Sequence, residues 1–298
     1  MAPGGYAWWY IDALSDCGRF GLTLIAFVGS VFSPYYAAAR RRAPWGQADA
    51  LDHNAINVAV YTLGAGRHRW AMTERGRAAL RRSEATLRIG PSQITREGDT
   101  LEIDLDEVTV PWPSRLRGRV RVQANGWQTH PVALDEPGQH RWSVLAPRAR
   151  VEVQLSAPAL RWSGPAYVDR NWGDAPLERA FTRWDWSRAR LHDDSTVVLY
   201  DVQRREGARK AWGLHFDAAG GVASVPLPQP APLPATAWRL PRSTHGEAHR
   251  PAQVLHTLED GPFYARSLLQ AAPANASAVV SATTRMNRVR LIVPPCRS

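Results

Sequence analysis

Only two cysteines occur in the 298 residues, Cys17 and Cys296, at opposite ends of the chain. That spacing excludes a disulfide framework and a cysteine metal site, and it fits a reducing compartment. The nine histidines form no HExxH or other ligand cluster, with His245 and His249 in a polar loop, so no metal site is expected. GxGxxG, the phosphate-binding loop and the GxSxG elbow are all missing, which leaves nucleotide cofactors and acyl-serine chemistry without a foothold. Lysine is nearly absent: Lys210 stands alone among 37 basic residues, and arginine carries the formal charge of +10. Apart from Arg40-Arg41-Arg42, Arg81-Arg82 and Arg204-Arg205 those arginines are scattered, and no nucleic-acid-binding signature accompanies them. Nucleic acid is therefore not an expected partner, whereas the summed positive field suits an anionic membrane surface. The longest apolar run, Phe20 to Phe32, falls short of the roughly 20 residues a spanning helix requires. Met1 to Tyr10 lacks the basic-then-apolar pattern of an export signal.

What the chain does contain is period-two alternation. Leu101, Ile103 and Leu105 alternate with Glu102, Asp104 and Asp106; Val151, Val153 and Leu155 alternate with Glu152 and Gln154; Val289, Leu291 and Val293 alternate with Arg288 and Arg290. Such runs are half-buried strands. Turn signals at Glu97-Gly98-Asp99, Asn125-Gly126 and Gly220-Gly221 join them at hairpin distances. Helical patterns are confined to Thr73–Glu84 and Tyr35–Arg42, too few to supply the crossovers of a parallel sheet. The expectation is an all-β fold of antiparallel sandwich or barrel units with few short helices. Pro226, Pro228, Pro230, Pro232 and Pro234 cannot sit in a central strand, because each lacks a ladder donor, and they predict an extended loop. The length suits two units, 1–165 and 166–298, with the changeover falling between 155 and 180.

Thirteen tryptophans are many for this length. Such rings favour ligand pockets, interfaces and membrane belts, although β cores also absorb them. Residues 140–201 concentrate them beside carboxylates: His140, Trp142, Tyr167, Asp169, Trp172, Asp174, Trp184, Asp185, Trp186, Tyr200 and Asp201. A carboxyl among large apolar rings tends to keep its proton, and the ring faces stabilise a nearby cation by about 0.5–2 kcal/mol each. That combination suits acid chemistry on a hydrocarbon. In a strand His140 shares a face with Trp142, and Tyr167 with Asp169. The alternative is that Trp142 and Tyr167 are core rings and Asp169 opens a turn reaching Asp174. Trp184 and Trp186 share a face that either lines an apolar slot or packs sheets, with Asp185 pointing away and paired to Arg183 or Arg188 at a surface. A paired-carboxylate glycosidase also stays open, since tryptophans stack on sugars.

Several long segments go further: Gly5-Tyr6-Ala7-Trp8-Trp9-Tyr10-Ile11-Asp12-Ala13, the stretch from Phe20 to Tyr36, Asp52-His53-Asn54-Ala55-Ile56-Asn57-Val58, Tyr167-Val168-Asp169-Arg170-Asn171-Trp172-Gly173 and Trp184-Asp185-Trp186. Together they resemble the acyclic carotenoid 1,2-hydratases of phototrophic bacteria, also called hydroxyneurosporene synthases, along nearly the whole chain. The resemblance implies two lipocalin-like β-barrel domains. It also implies a hydro-lyase without a cofactor that adds water to the terminal C1–C2 double bond of acyclic carotenoids such as neurosporene and lycopene, giving tertiary alcohols. Family functional positions fall on His140, Trp142, Tyr167 and Asp169. Alkene hydration then makes Asp169 the expected acid, its pKa raised by burial, with Trp142 facing the cation and Tyr167 and His140 positioning the water. Asp185 and Asp16 are the reserve acids, and Trp172, Trp184, Trp186 and Tyr200 the expected wall of a polyene tunnel. The expected partners are an acyclic carotenoid, water and the anionic cytoplasmic face of the inner, photosynthetic membrane. Two alternatives use the same fold: a carotenoid or terpenoid carrier without chemistry, and a barrel enzyme that guides cyclisation or pericyclic closure and yields an isomer.

Overall fold

The computed structural model describes residues 1–64, 68–246, 251–270 and 276–286. Its first sheet is built from β1 (Tyr6–Leu14), β2 (Phe20–Val28), β3 (Asn54–Thr62), β4 (Arg69–Arg75), β5 (Leu80–Arg82), β6 (Thr86–Ile89), β7 (Ser92–Glu97), β8 (Thr100–Val108), β9 (Arg115–Ala124), β10 (His130–Ala133), β11 (His140–Ala157) and β12 (Ala159–Gly173). The strands run antiparallel in the order β4-β3-β2-β1-β12-β11-β9-β8-β7-β6-β5, with β10 paired on β11. The sheet curls until β4 approaches the end of β8, where the Arg75 guanidinium meets the buried Glu107 carboxylate at 2.7 Å. Its inner face carries the alternating apolar residues, among them Ile11, Leu24, Val58, Val120, Val122, Val151 and Val153.

The remaining strands are β13 (Phe181–Leu191), β14 (Thr196–Arg204), β15 (Lys210–Phe216), β16 (Val222–Ser224), β17 (Gln229–Leu233), β18 (Arg242–Gly246), β19 (Gln253–Asp260), β20 (Tyr264–Gln270) and β21 (Ala276–Arg285). A second antiparallel sheet has the order β16-β15-β14-β13-β21-β20-β19, and β17 and β18 form a separate ribbon. Between the two sheets lies a core dominated by rings: Tyr6, Trp8, Tyr10, Trp142, Tyr167, Trp184, Trp186 and Tyr200 are all buried in it. Burying one such side chain stabilises the assembly by about 1.5–3 kcal/mol. Consequently β1 and residues 162–173 of β12 have no solvent face. One set of alternate residues fills the first barrel, and the other meets the second sheet.

Several expectations change. Thr73–Glu84 is not helical: its start belongs to β4, paired with β3 from Asn54↔Arg75 to Val60↔Arg69, and Arg77–Ala79 is one 3₁₀ turn before β5. Ladder pairing and the Arg75–Glu107 contact outweigh the local helical pattern, and Gly76 breaks it. The second helical pattern holds as α1 (Pro34–Arg42), capped by the Ser33 hydroxyl accepting from Tyr36 N at 2.9 Å, with Pro34 at the first position. The proline run is not all loop, since β17 pairs with β18, but this two-stranded ribbon is an edge, as missing donors require. His245 stands in β18 and is buried, rather than lying in a polar loop. The sheets change over at residues 174–180, around the short α2 (Leu177–Ala180), whereas the expected division between 165 and 166 falls within β12. Val289, Leu291, Val293, His249 and Cys296 lie outside the described residues. Among the described residues no helix is long and apolar enough to cross a membrane.

Candidate active site

Alternation along β12 turns Tyr167, Asp169 and Asn171 toward the second sheet. The register sets them beside Asp12, Tyr10 and Trp8 of β1, and it sets Trp142 of β11 beside Asn171. Asp169 is buried, and its two oxygens differ. Oδ2 accepts the Trp142 indole N–H and the Tyr167 hydroxyl, each at 3.0 Å, while Oδ1 is buried without any partner. Burial pushes this carboxyl up to about 7, against the pull of the two donated hydrogen bonds and of Arg188; Asp12 adds to the rise. With both donors on Oδ2, the acid proton belongs on Oδ1.

The Asp169 carboxyl lines a slot between the sheets whose walls include Trp8, Tyr10, Phe27, Trp184, Trp186 and Tyr200. Its open space is about 50 Å³, room for a water or two. The rings interlock: Tyr10 meets Trp186 edge-on at 5.3 Å, Tyr167 leans on Trp186 at 5.4 Å, Trp142 on Tyr200 at 4.7 Å, and Trp8 stacks on Trp184 at 6.3 Å. Besides Asp169, Asn171 and Thr284 interrupt this apolar lining. The Tyr200 hydroxyl donates to Asn171 Oδ1 at 3.0 Å, and Asn171 itself lines the slot. Beneath Tyr10, the fully buried Asp12 accepts from Arg188 at 2.6 Å and from Arg266 at 2.8 Å. Arg266 also donates to the Tyr10 hydroxyl, and the Tyr61 hydroxyl donates to Glu259, whose pKa burial raises. These paired charges fix β13 and β20 against β1, and Arg188 lies 5.5 Å over the Tyr167 ring.

Of the residues expected at the site, Asp169, Trp142, Tyr167, Trp184, Trp186 and Tyr200 come together. The others do not. His140 pairs with Gly173, four residues along β12 from Asp169, which is about 13 Å at ~3.3 Å per residue. Its imidazole meets the Tyr6 hydroxyl at 3.0 Å and the Phe181 edge at 5.1 Å, and burial lowers its pKa. Trp172 points to the barrel side of β12, where the Arg170 guanidinium covers its ring at 4.5 Å. Asp185 lies on the outer face of the second sheet, bonded to Arg183 and Thr283 at 2.5 Å. Asp16 is exposed, and the hydrogen-bonded Arg150 holds its carboxyl below the usual range, so it carries no proton near neutrality. Sequence reasoning missed Trp8, Tyr10, Asp12, Phe27 and Asn171. Period two along Trp8-Trp9-Tyr10-Ile11-Asp12 was the available signal for three of them.

Comparisons with known proteins bear on the family and the fold. Residues 24–293 match the family described as carotenoid hydratase CrtC. The chain is 52% identical over 279 residues to the acyclic carotenoid 1,2-hydratase of Thiocapsa roseopersicina, covering 93% of this chain and 67% of that protein. It is 47% identical over 298 residues to the enzyme of the same name from Rubrivivax gelatinosus, covering 100% and 72%. Among solved structures, an AttH protein from Nitrosomonas europaea superposes with a TM-score of 0.62 at 16% identity, covering 94% of this chain and 92% of that one. Kievitone hydratase from Nectria haematococca gives 0.56 at 10% identity, covering 96% and 91%. At such identities the likeness is one of fold, and it bears out the all-β, lipocalin-like architecture. The family match over most of the length, together with two close relatives of one name, shows that the chain belongs to the carotenoid hydratase family of enzymes.

Proposed function

We propose that the enzyme hydrates the terminal C1–C2 double bond of acyclic carotenoids such as neurosporene and lycopene, without a cofactor, to tertiary 1-hydroxy carotenoids. The observation that carries this reading is the Asp169 carboxyl, buried among rings at the lining of an apolar slot, with one oxygen held by two donors and the other without a partner. An isolated alkene is a weak base and needs a positioned acid. The Oδ1 proton passes to C2, the C=C π pair forms the new C2–H bond, and a tertiary cation remains at C1. Tyr10, Trp186 and Tyr200 present ring faces and edges around it. Trp142 acts through the acid by donating to Asp169 Oδ2. A water between the Asn171 amide and the newly formed carboxylate attacks C1, and its proton returns to Asp169. His140 is too far along β12 for that water; its bond to Tyr6 makes it a support of the aromatic wall.

A polyene reaches the slot from a bilayer and enters by parting the ring walls, since the open space of about 50 Å³ holds only a water or two. Phe32 lines the slot and immediately precedes the cap of α1, and Tyr35 and Trp45 beyond it are exposed beside Arg41 and Arg42. This segment suits contact with an anionic cytoplasmic membrane surface. The test is incubation of purified protein with lycopene or neurosporene in liposomes, followed by chromatography and mass spectrometry of the extract. A product heavier by one water is the expected result. Unchanged carotenoid retained by the protein points to a carrier, and an altered carotenoid of unchanged mass points to an isomerising enzyme.

A further inference from the structure

The opposite face of the same strand pair borders a second cavity, of about 550 Å³, in the mouth of the first barrel. That volume lies within the roughly 300–1,000 Å³ of small-molecule sites. Its apolar wall includes Trp9, Ile94, Leu101, Trp127 and Val168, and its charged lining is unbalanced. Arg170 sits between two indoles, 4.5 Å from the Trp172 ring and 5.5 Å from Trp9, with its Nε buried and unpartnered. Arg82 and Arg96 stand at the rim, Arg96 over Trp127 at 5.9 Å. Glu84, the one carboxylate in the lining, is exposed, and among the described residues none of the three arginines forms an ion pair. A guanidinium drawn from water without a counter-ion is costly, whereas an anion with an apolar tail satisfies both the cation and the walls.

We propose that this cavity binds a single-chain amphiphile with an anionic head, a fatty carboxylate or a monoacyl phosphate, with the head on Arg170 and the tail along Trp9, Leu101 and Trp127. The site is separate from the hydratase slot: Trp9 and Arg170 pair across the wall, and their neighbours Tyr10 and Asp169 face the other way.

The test is a fluorescence titration with the fatty acid cis-parinarate, competed by palmitate, hexadecanol, lysophosphatidic acid or inorganic phosphate. We expect one probe per chain, displaced by palmitate and lysophosphatidic acid, on the order of tenfold more weakly by hexadecanol, and not by inorganic phosphate. Arg170→Gln should erase the preference for palmitate over the alcohol, and Leu101→Trp should exclude the probe by filling the cavity. Thermal melts of both variants report whether they fold, and the wild-type comparison of acid with alcohol needs no variant. Equal competition by hexadecanol and palmitate overturns the anionic assignment. Displacement of the probe by lycopene with undiminished binding to Leu101→Trp places it in the hydratase slot and overturns the second site.

Discussion

Asp169→Asn tests the acid and its environment together. The amide is nearly isosteric. Its oxygen can accept from Trp142 and Tyr167 as Oδ2 does, while its nitrogen takes the place of the unpartnered Oδ1 and has no transferable proton. The fold and the slot should persist, and hydration should fall by at least the ~10²–10⁴ that a positioned acid supplies. Stability gives an independent magnitude. The carboxyl rises from 3.8 to about 7 on folding, a difference of about 3 units, or on the order of 4 kcal/mol at ~1.36 kcal/mol per unit. Below the unfolded pKa both states are protonated and the wild type keeps its full stability. As pH climbs from about 4 to about 7 the unfolded state ionises first, so the folded wild type loses that ~4 kcal/mol and then levels off. The asparagine variant has no such loss, so its advantage over wild type should grow across this window and stay flat above it. Chemical denaturation of both proteins at a series of pH values, with the liposome assay at each, measures both effects. Parallel stability curves, or a variant that still forms alcohol at the wild-type rate, would refute the reasoning.

Four further outcomes follow from the same geometry. The turnover rate should be level below about pH 7 and fall about tenfold per unit above it, because the protonated carboxyl is the active form; initial rates from about pH 5 to about pH 9 read this directly. Tyr200→Phe removes the donor that orients Asn171 and should lower turnover about tenfold with little change in carotenoid binding, which steady-state kinetics against a binding titration will separate. Asp12→Ala leaves Arg188 and Arg266 buried without their carboxylate and should cost about 3–5 kcal/mol in chemical denaturation. Asp16→Asn, at an exposed pair, should change stability by less than about 1 kcal/mol and activity not at all.

Strands with one wet face were legible because alternation marks them: β9 and the distal half of β11 follow it residue by residue, while β8 departs from it at its ends, where Thr100 and Glu107 are buried and Val108 is exposed. Period two also placed Tyr167 with Asp169 and His140 with Trp142 correctly. It names a face and not a distance, however, so it could not show that His140 lies opposite Gly173, away from the acid. Trp172 is a different case. Positions 169 and 172 have opposite parity and must face apart in a continuous strand; the tunnel role overlooked that β12 runs unbroken to Gly173. The Asp12–Arg266 bond joins residues 254 positions apart, and no local pattern reports such a contact. The helical reading of Thr73–Glu84 failed for a nearer reason: Gly76 interrupts it, and its start pairs back on β3 in a hairpin, from Val60↔Arg69 to Asn54↔Arg75.

Strand β12 has a consequence for how this gene can vary. Its even positions Val168, Arg170 and Trp172 face the barrel side, while its odd positions Tyr167, Asp169 and Asn171 face the ring-lined core between the sheets. Deleting one residue upstream within the strand would exchange the two sets wholesale, presenting a guanidinium to the hydrocarbon and an acid to the barrel. Point substitutions can drift on either face independently, but length cannot. An in-frame insertion scan across Ala159–Gly173 should accordingly find no tolerated single-codon change between Ala166 and Asn171, in contrast to the exposed turn at Asn125-Gly126.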